Sequence, residues 1–200
     1  MSDACDRLGV DAVRTGALRP LWPGCPGVSG RLTTVRLEPA RTDPDPLADL
    51  RDVLAGAAGG LVLVDLGGRL DVQCWGSVLA TLAARVGVRG ALVNGAARDV
   101  DALHALGFPV FARGVYPGAA RGRLRLAAVD EPVCLGGESV MPGAIAVADS
   151  SGLVIVAAER FGAVAEAASA LRAQEQERLR LLDAGGDPRS LIADTSEGDV

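Results

Sequence analysis

Between residues 61 and 106 the chain twice follows a short apolar run with an amphipathic segment, and this repetition constrains the fold more than any other feature. Leu61-Val62-Leu63-Val64 is wholly apolar and ends in Asp65-Leu66-Gly67-Gly68, the pattern of a buried strand whose C-terminal end delivers a loop to a site. A helix over about 77 to 86 follows, with Val78, Leu79, Leu82 and Val86 on one stripe. The second unit predicts a strand at 91 to 94, a turn at Asn94-Gly95 and a helix from about 99 to 106. Strand then helix, twice over, argues for a parallel α/β core.

The flanking segments have a different texture. Ser2 and Asp3 can cap a short helix ending at Gly9, and a connector marked by Pro20, Pro23, Pro26 and Gly30 leads to a half-buried strand at 31 to 38. Asp43-Pro44-Asp45-Pro46 breaks the chain and opens a helix over about 47 to 56. From Pro109 onward the pattern predicts short strands at 109 to 112, 124 to 129, 132 to 135, 138 to 141, 144 to 148 and 153 to 157, a β-rich second layer. Asp149-Ser150-Ser151-Gly152 joins the last two as a hairpin. An Ala-rich helix then runs from about 158 to 183, interrupted at Gly162 and ended by Gly185-Gly186. Residues 1 to 186 form the expected single domain, and 187 to 200 a mobile polar tail.

Composition removes several chemistries. All 20 basic residues are arginine, so a lysine Schiff base cannot form, and any enolate made here needs a metal or hydrogen bonds to stabilise it. A single histidine, His104, rules out zinc sites with two or three imidazoles and is given no catalytic role. The net charge is −5 with arginine scattered; the run Arg121-Gly122-Arg123-Leu124-Arg125 reads as a solvated loop or strand edge, so no nucleic-acid partner is expected. Cys5, Cys25, Cys74 and Cys134 are widely spaced and expected to be reduced, mostly buried and inert. No apolar run approaches a membrane span, and the expectation is a soluble, cytoplasmic protein.

Trp75-Gly76-Ser77-Val78-Leu79, Gly95-Ala96-Ala97-Arg98-Asp99-Val100-Asp101, Gly107-Phe108-Pro109-Val110-Phe111 and Pro142-Gly143 through Gly152 occur in order along the chain. Together they resemble the RraA-like family, which holds the 4-hydroxy-4-methyl-2-oxoglutarate aldolases, oxaloacetate decarboxylases and the regulator of ribonuclease activity A. The resemblance runs from about residue 2 to 157. It implies an α/β/β/α sandwich with a swivelling β/β/α-type core, assembled as a homotrimer or hexamer with sites between subunits. It also implies that Arg98 binds a 2-oxo acid and stabilises its enolate, that Asp99 holds Mg²⁺ or Mn²⁺, and that backbone N–H groups of Gly76, Ser77, Val78 and Leu79 take the substrate carboxylate. The last agrees with an independent reading, because that segment opens a helix and its free donors suit an anion. Glu175 and Glu177, each three residues before an arginine, read as a solvated ion-paired helix face, and the resemblance offers one or other of them as an acid that reaches the metal through water from a neighbouring subunit's C-terminal region.

Two positions depart from the family pattern. The aldolases carry Asp where this chain has Ser77, and a hydroxyl cannot hold a metal-bound water or shuttle a proton near neutral pH as a carboxylate does. Ala144 replaces an Asp after Pro142-Gly143, at a position that reads as a turn. The expected function is a metal-dependent lyase for a 2-oxo acid, specialised by Ser77 in its proton-transfer step. The alternative is a non-catalytic protein-binding regulator of the same fold. Ser77 and Asp99 each also read as helix N-caps, Gly67-Gly68 as a plain turn, and Trp75 and Phe108 as core or pocket wall.

Overall fold

The computed structural model describes residues 1–40 and 46–185; the Asp43-Pro44-Asp45 break and the tail at 187 to 200 lie outside them. In chain order the elements are α1 (Ser2–Arg7), β1 (Ala12–Thr15), β2 (Arg19–Pro20), β3 (Val28–Pro39), α2 (Pro46–Gly56), β4 (Leu61–Asp65), β5 (Gln73–Trp75) and α3 (Ser77–Arg85). They continue with β6 (Gly90–Ala97), α4 (Val100–Leu106), β7 (Val110–Val115), β8 (Leu124–Val129), β9 (Val133–Leu135), β10 (Glu138–Val140), β11 (Ile145–Asp149), β12 (Gly152–Val156) and α5 (Ala158–Asp183).

The expected parallel core is present, with β3, β4, β6 and β7 running side by side and in parallel. Alternation along these strands separates two apolar layers. Val62, Val64, Val93, Val110 and Ala112 face α2, α3 and α4, meeting Leu54, Leu79, Ala83 and Leu103. Leu61, Leu63, Leu92 and Phe111 face the other way, onto Ala146, Ala148, Leu153 and Ile155 of the β11–β12 hairpin. The long strand β3 joins the two layers: Val28 to Arg31 pair with β11 and Leu32 to Arg36 pair with β4. A third, smaller core lies between β12 and the outer helices, where Val156 meets Cys5 of α1 and Val164 of α5. Helices, sheet, sheet and helices in that order make the α/β/β/α sandwich.

Several expectations need correcting. The 10-to-30 stretch is not only a connector, because β1 pairs with β12 and β2 with β7, and β3 already begins at Val28. Asn94-Gly95 is not a turn: β6 runs through it, and the register on β7 shifts between Val93 and Ala96. The reason is crowding, since a Cβ on Gly95 would lie 2.8 Å from Leu66 Cβ and 3.1 Å from Arg69 O, so glycine lets the 66–71 loop fold against the strand. Helix α5 is continuous through Gly162, the roughly 1 kcal/mol cost of an interior glycine being absorbed by an Ala-rich neighbourhood. Ser2 and Asp3 make no capping bond; Met1 is the N-cap of α1, and the Ser2 hydroxyl accepts a bond from Arg14 instead.

The four cysteines are unpaired, with Cys5 and Cys74 buried, Cys25 intermediate and Cys134 exposed, so only half of them fit the buried description. Among the described residues no helix is long and apolar enough to cross a membrane.

Candidate functional site

The parallel strands β4, β6 and β7 end close together, and the polar residues of this region lie at those C-terminal ends, where α/β sheets present ligand crevices. Asp65 and Asn94 are register partners, 6% and 3% exposed. Asn94 Nδ2 donates to Asp65 Oδ1 at 2.6 Å and to the Cys134 carbonyl at 3.1 Å, and its Oδ1 accepts from Arg113 Nε. The Gly67 N–H also reaches Asp65 Oδ1, at 2.8 Å, while the Leu66 and Gly68 amides donate to the Asn94 carbonyl. Gly67 and Gly68 have φ of 63° and 78°, so Asp65-Gly67-Gly68 is a tight turn whose donors are satisfied internally and not a phosphate loop. The sequence signal for this network was a polar residue closing each of two apolar strands, with an arginine on the third.

Beyond it, β6 is flanked by the short strand β5 on one side and by the end of β7 on the other. Strand β5 is not legible in the sequence, because three residues are too few to carry a periodic signal. The Arg98 N–H donates to the Trp75 carbonyl at 2.9 Å, which brings Trp75-Gly76-Ser77 beside Arg98-Asp99. Trp75 is fully buried and stacks on Phe108, centroids 6.2 Å apart, so both are core residues as expected. His104 is exposed and stacks on Trp22, away from this cluster in the last turn of α4.

Of the two N-cap readings, that of Ser77 does not hold, and that of Asp99 holds for its position but not for its side chain. Gly76 is the N-cap of α3, and Ser77 is its first helical residue. Asp99 occupies the N-cap position of α4 in a left-handed conformation, φ 59° and ψ 39°, yet its side chain does not cap that helix. It reaches across to α3: Asp99 Oδ2 accepts from the Ser77 N–H at 3.0 Å and from the Ser77 hydroxyl at 2.8 Å. Asp99 thus satisfies one of the first-turn amides of α3, leaving those of Val78 and Leu79 without an intrahelical acceptor. Arg98 Nε stands 3.6 Å from the same Oδ2 and is buried without a hydrogen-bond partner. Asp99 Oδ1 receives no protein donor among the described residues.

Burial of the Asp99 carboxyl pushes its pKa up, but the two Ser77 bonds and the Arg98 charge outweigh this and hold it below the usual carboxylate value. The group is therefore an anion at neutral pH. Gly76 is required by space and not by backbone conformation: its φ of −155° suits any residue, but a Cβ there would lie 2.8 Å from Asp99 Oδ2 and 3.2 Å from Arg98 Cγ. Sequence reading placed Gly76 in the site for its N–H and missed this steric role.

The donor set bears on what ion the cluster suits. No group of three or more His, Cys, Asp or Glu residues gathers among the described residues, so an all-protein cage is absent from this part of the chain. One open carboxylate oxygen, with the side chain about one-third exposed, fits a hard cation that keeps most of its waters, as Mg²⁺ does. Glu175 and Glu177 lie exposed on α5, which packs on α1; Glu177 is paired with Arg180 at 2.8 Å, and neither is brought to Asp99 within one chain.

Residues 1–155 match the family model described as Aldolase/RraA. Protein DlpA of Legionella pneumophila is 27% identical over 93% of this chain, though the chain spans only 30% of that protein's length. A putative 4-hydroxy-4-methyl-2-oxoglutarate aldolase of Halalkalibacterium halodurans is 28% identical, over 72% of this chain and 70% of its own. Among solved structures, Streptomyces coelicolor RraAS2, described as an unusual member of the RNase ES inhibitor RraA protein family, superposes with a TM-score of 0.74 and 27% identity, covering 90% of this chain and 89% of that one.

Proposed function

The chain belongs to the RraA-like family, and on that premise we propose that it is a divalent-metal-dependent lyase acting on a 2-oxo acid. The observation that carries this reading is the Asp99 carboxylate, ionised and open at Oδ1, fixed beside the Arg98 guanidinium at the N-terminus of α3. Asp99 would hold Mg²⁺ or Mn²⁺, which supplies Lewis-acid stabilisation of negative charge developing on the 2-oxo oxygen. Arg98 binds the carboxylate and oxo end of the substrate and takes up part of that charge. The free Val78 and Leu79 amides and the α3 dipole favour the same anionic end.

Ser77 holds Asp99 in place by donating to it, and a hydroxyl so engaged does not serve as a base. Loss of CO₂ from oxaloacetate needs no proton removed from a substrate hydroxyl, whereas retro-aldol cleavage does. Decarboxylation is therefore the favoured reaction of the wild-type site. In the same reading the protein assembles as a homotrimer or dimer of trimers in which Glu175 or Glu177 approaches a neighbour's metal.

The test is oxaloacetate decarboxylation by purified protein with Mg²⁺ or Mn²⁺ and with chelator, in wild type, Arg98→Gln and Asp99→Asn. Metal-dependent turnover lost in both variants is the expected result; turnover unchanged by both defeats the assignment. One observation favours a second reading, a protein-binding regulator: Val78, 65% exposed at the mouth of the cluster, presents an apolar surface beside a site lacking the aldolase Asp. Absence of metal-dependent turnover of both oxaloacetate and 4-hydroxy-4-methyl-2-oxoglutarate would make that the better description.

A further inference from the structure

Two donors and one guanidinium charge converge on one oxygen of Asp99. The Ser77 amide and the Ser77 hydroxyl donate to Oδ2 and Arg98 Nε lies 3.6 Å from it as an ion pair, while Oδ1 receives no donor among the described residues. We propose that Ser77 is a positioning residue that makes Asp99 a one-oxygen ligand, and so selects Mg²⁺-like ions over Ca²⁺. This rests on the reading of Asp99 as the metal ligand and goes beyond it, because it assigns the choice of ion to a residue that does not touch the ion.

The physical basis is the difference between the two cations. Ca²⁺ takes six to eight oxygens at about 2.3–2.6 Å and gains from carboxylates that chelate with both oxygens, whereas Mg²⁺ holds a strict octahedron, keeps several waters and uses single carboxylate oxygens. An Oδ2 already accepting two hydrogen bonds from Ser77 has little lone-pair capacity left for a chelated cation, and its rotation about Cβ–Cγ is fixed by both donors. A metal at Oδ1 keeps both bonds intact. Chelation by both oxygens would have to break them and leave the Ser77 amide without its acceptor.

The position of Ser77 provides an informative variant. As the first residue of α3 it contributes no intrahelical N–H bond, its amide going to Asp99, and the preceding Gly76 is extended, φ −155° and ψ −172°; proline is accepted at such a place. Ser77→Pro removes both donors at once with the helix start preserved, and Ser77→Ala removes the hydroxyl alone. The experiment measures Mg²⁺ and Ca²⁺ affinities of the full chain by calorimetry and by displacement of Mn²⁺ followed by electron paramagnetic resonance, without substrate.

Wild type should bind Mg²⁺ at least as tightly as Ca²⁺. The ratio of affinities should move toward Ca²⁺ by roughly tenfold in Ser77→Pro and by about threefold in Ser77→Ala, which also serves should the proline variant not fold. Both ions binding with an unchanged ratio in the variants overturns the proposal and leaves Asp99 as the metal ligand standing. Binding of neither ion by wild type overturns both, and binding that survives Asp99→Asn unchanged places the ion elsewhere and does the same.

Discussion

Replacing Ser77 by Asp tests the geometry of the cluster through stability before any reaction is assayed. The substitution removes the hydroxyl donor that sits 2.8 Å from Asp99 Oδ2 and puts a second carboxylate in its place. Losing a hydrogen bond to a charged, one-third-exposed acceptor costs about 1 kcal/mol. Two like charges about 4 Å apart repel by about 1 kcal/mol in bulk water and about 4 kcal/mol at a surface-like effective dielectric. Arg98 Nε, 3.6 Å from Oδ2, offsets part of this, so the metal-free variant should lose about 2–4 kcal/mol. For a chain of 200 residues that is about 4–16 °C in Tm.

A divalent cation between the two carboxylates neutralises the repulsion, so Mg²⁺ or Mn²⁺ should return most of the loss in Ser77→Asp and add little to wild type. Thermal unfolding by circular dichroism at pH 7, with chelator and then with millimolar metal, reads both numbers. The variant should also cleave 4-hydroxy-4-methyl-2-oxoglutarate faster than wild type, by roughly the 10²–10⁴-fold associated with one acid/base group. A metal-free Ser77→Asp protein as stable as wild type would refute the argument, since it would mean that the side chains of 77 and 99 do not face each other.

Gly76→Ala should disturb the same cluster by crowding, because its Cβ at 2.8 Å from Asp99 Oδ2 forces the carboxylate off Ser77; metal affinity should drop about tenfold with a loss of about 1 kcal/mol in stability, measured by calorimetry and thermal unfolding. The pKa of Asp99 is lowered on folding, so its contribution is fully present above the unfolded carboxylate pKa of about 3.9 and is lost as pH falls through its lower folded value. The stability gap between wild type and Asp99→Asn should accordingly be flat from about pH 5 to 8 and shrink toward acid, and a gap that widens toward acid would contradict the sign. Light scattering should give at least three times the 20.3 kDa chain mass; a monomer at working concentration would remove any role for Glu175 or Glu177 at a neighbour's metal.

The sequence by itself determined the layered architecture and singled out the residues of the candidate site. Alternating apolar runs and amphipathic stripes report which faces are buried, and the paired units at 61 to 86 and 91 to 106 therefore specified a parallel sheet covered by helices. The hairpin across Asp149 to Gly152 was legible for the same local reason. Strand β5 and the bulge at Gly95 were not, because both depend on what packs against β6 in the fold: β5 pairs with Ala96 and Ala97, and Leu66 and Arg69 crowd Gly95, contacts between segments with no common period. The motif Arg98-Asp99 and the position of Ser77 could likewise be read directly, but not what the two do to each other. Only the tertiary structure decided that Asp99 turns away from its own helix and satisfies the first amide of α3, since that choice is fixed by the Arg98 to Trp75 backbone bond that sets β6 against β5. A chain records its local preferences residue by residue; which oxygen of a carboxylate stays open depends on donors that folding brings from twenty-two positions away.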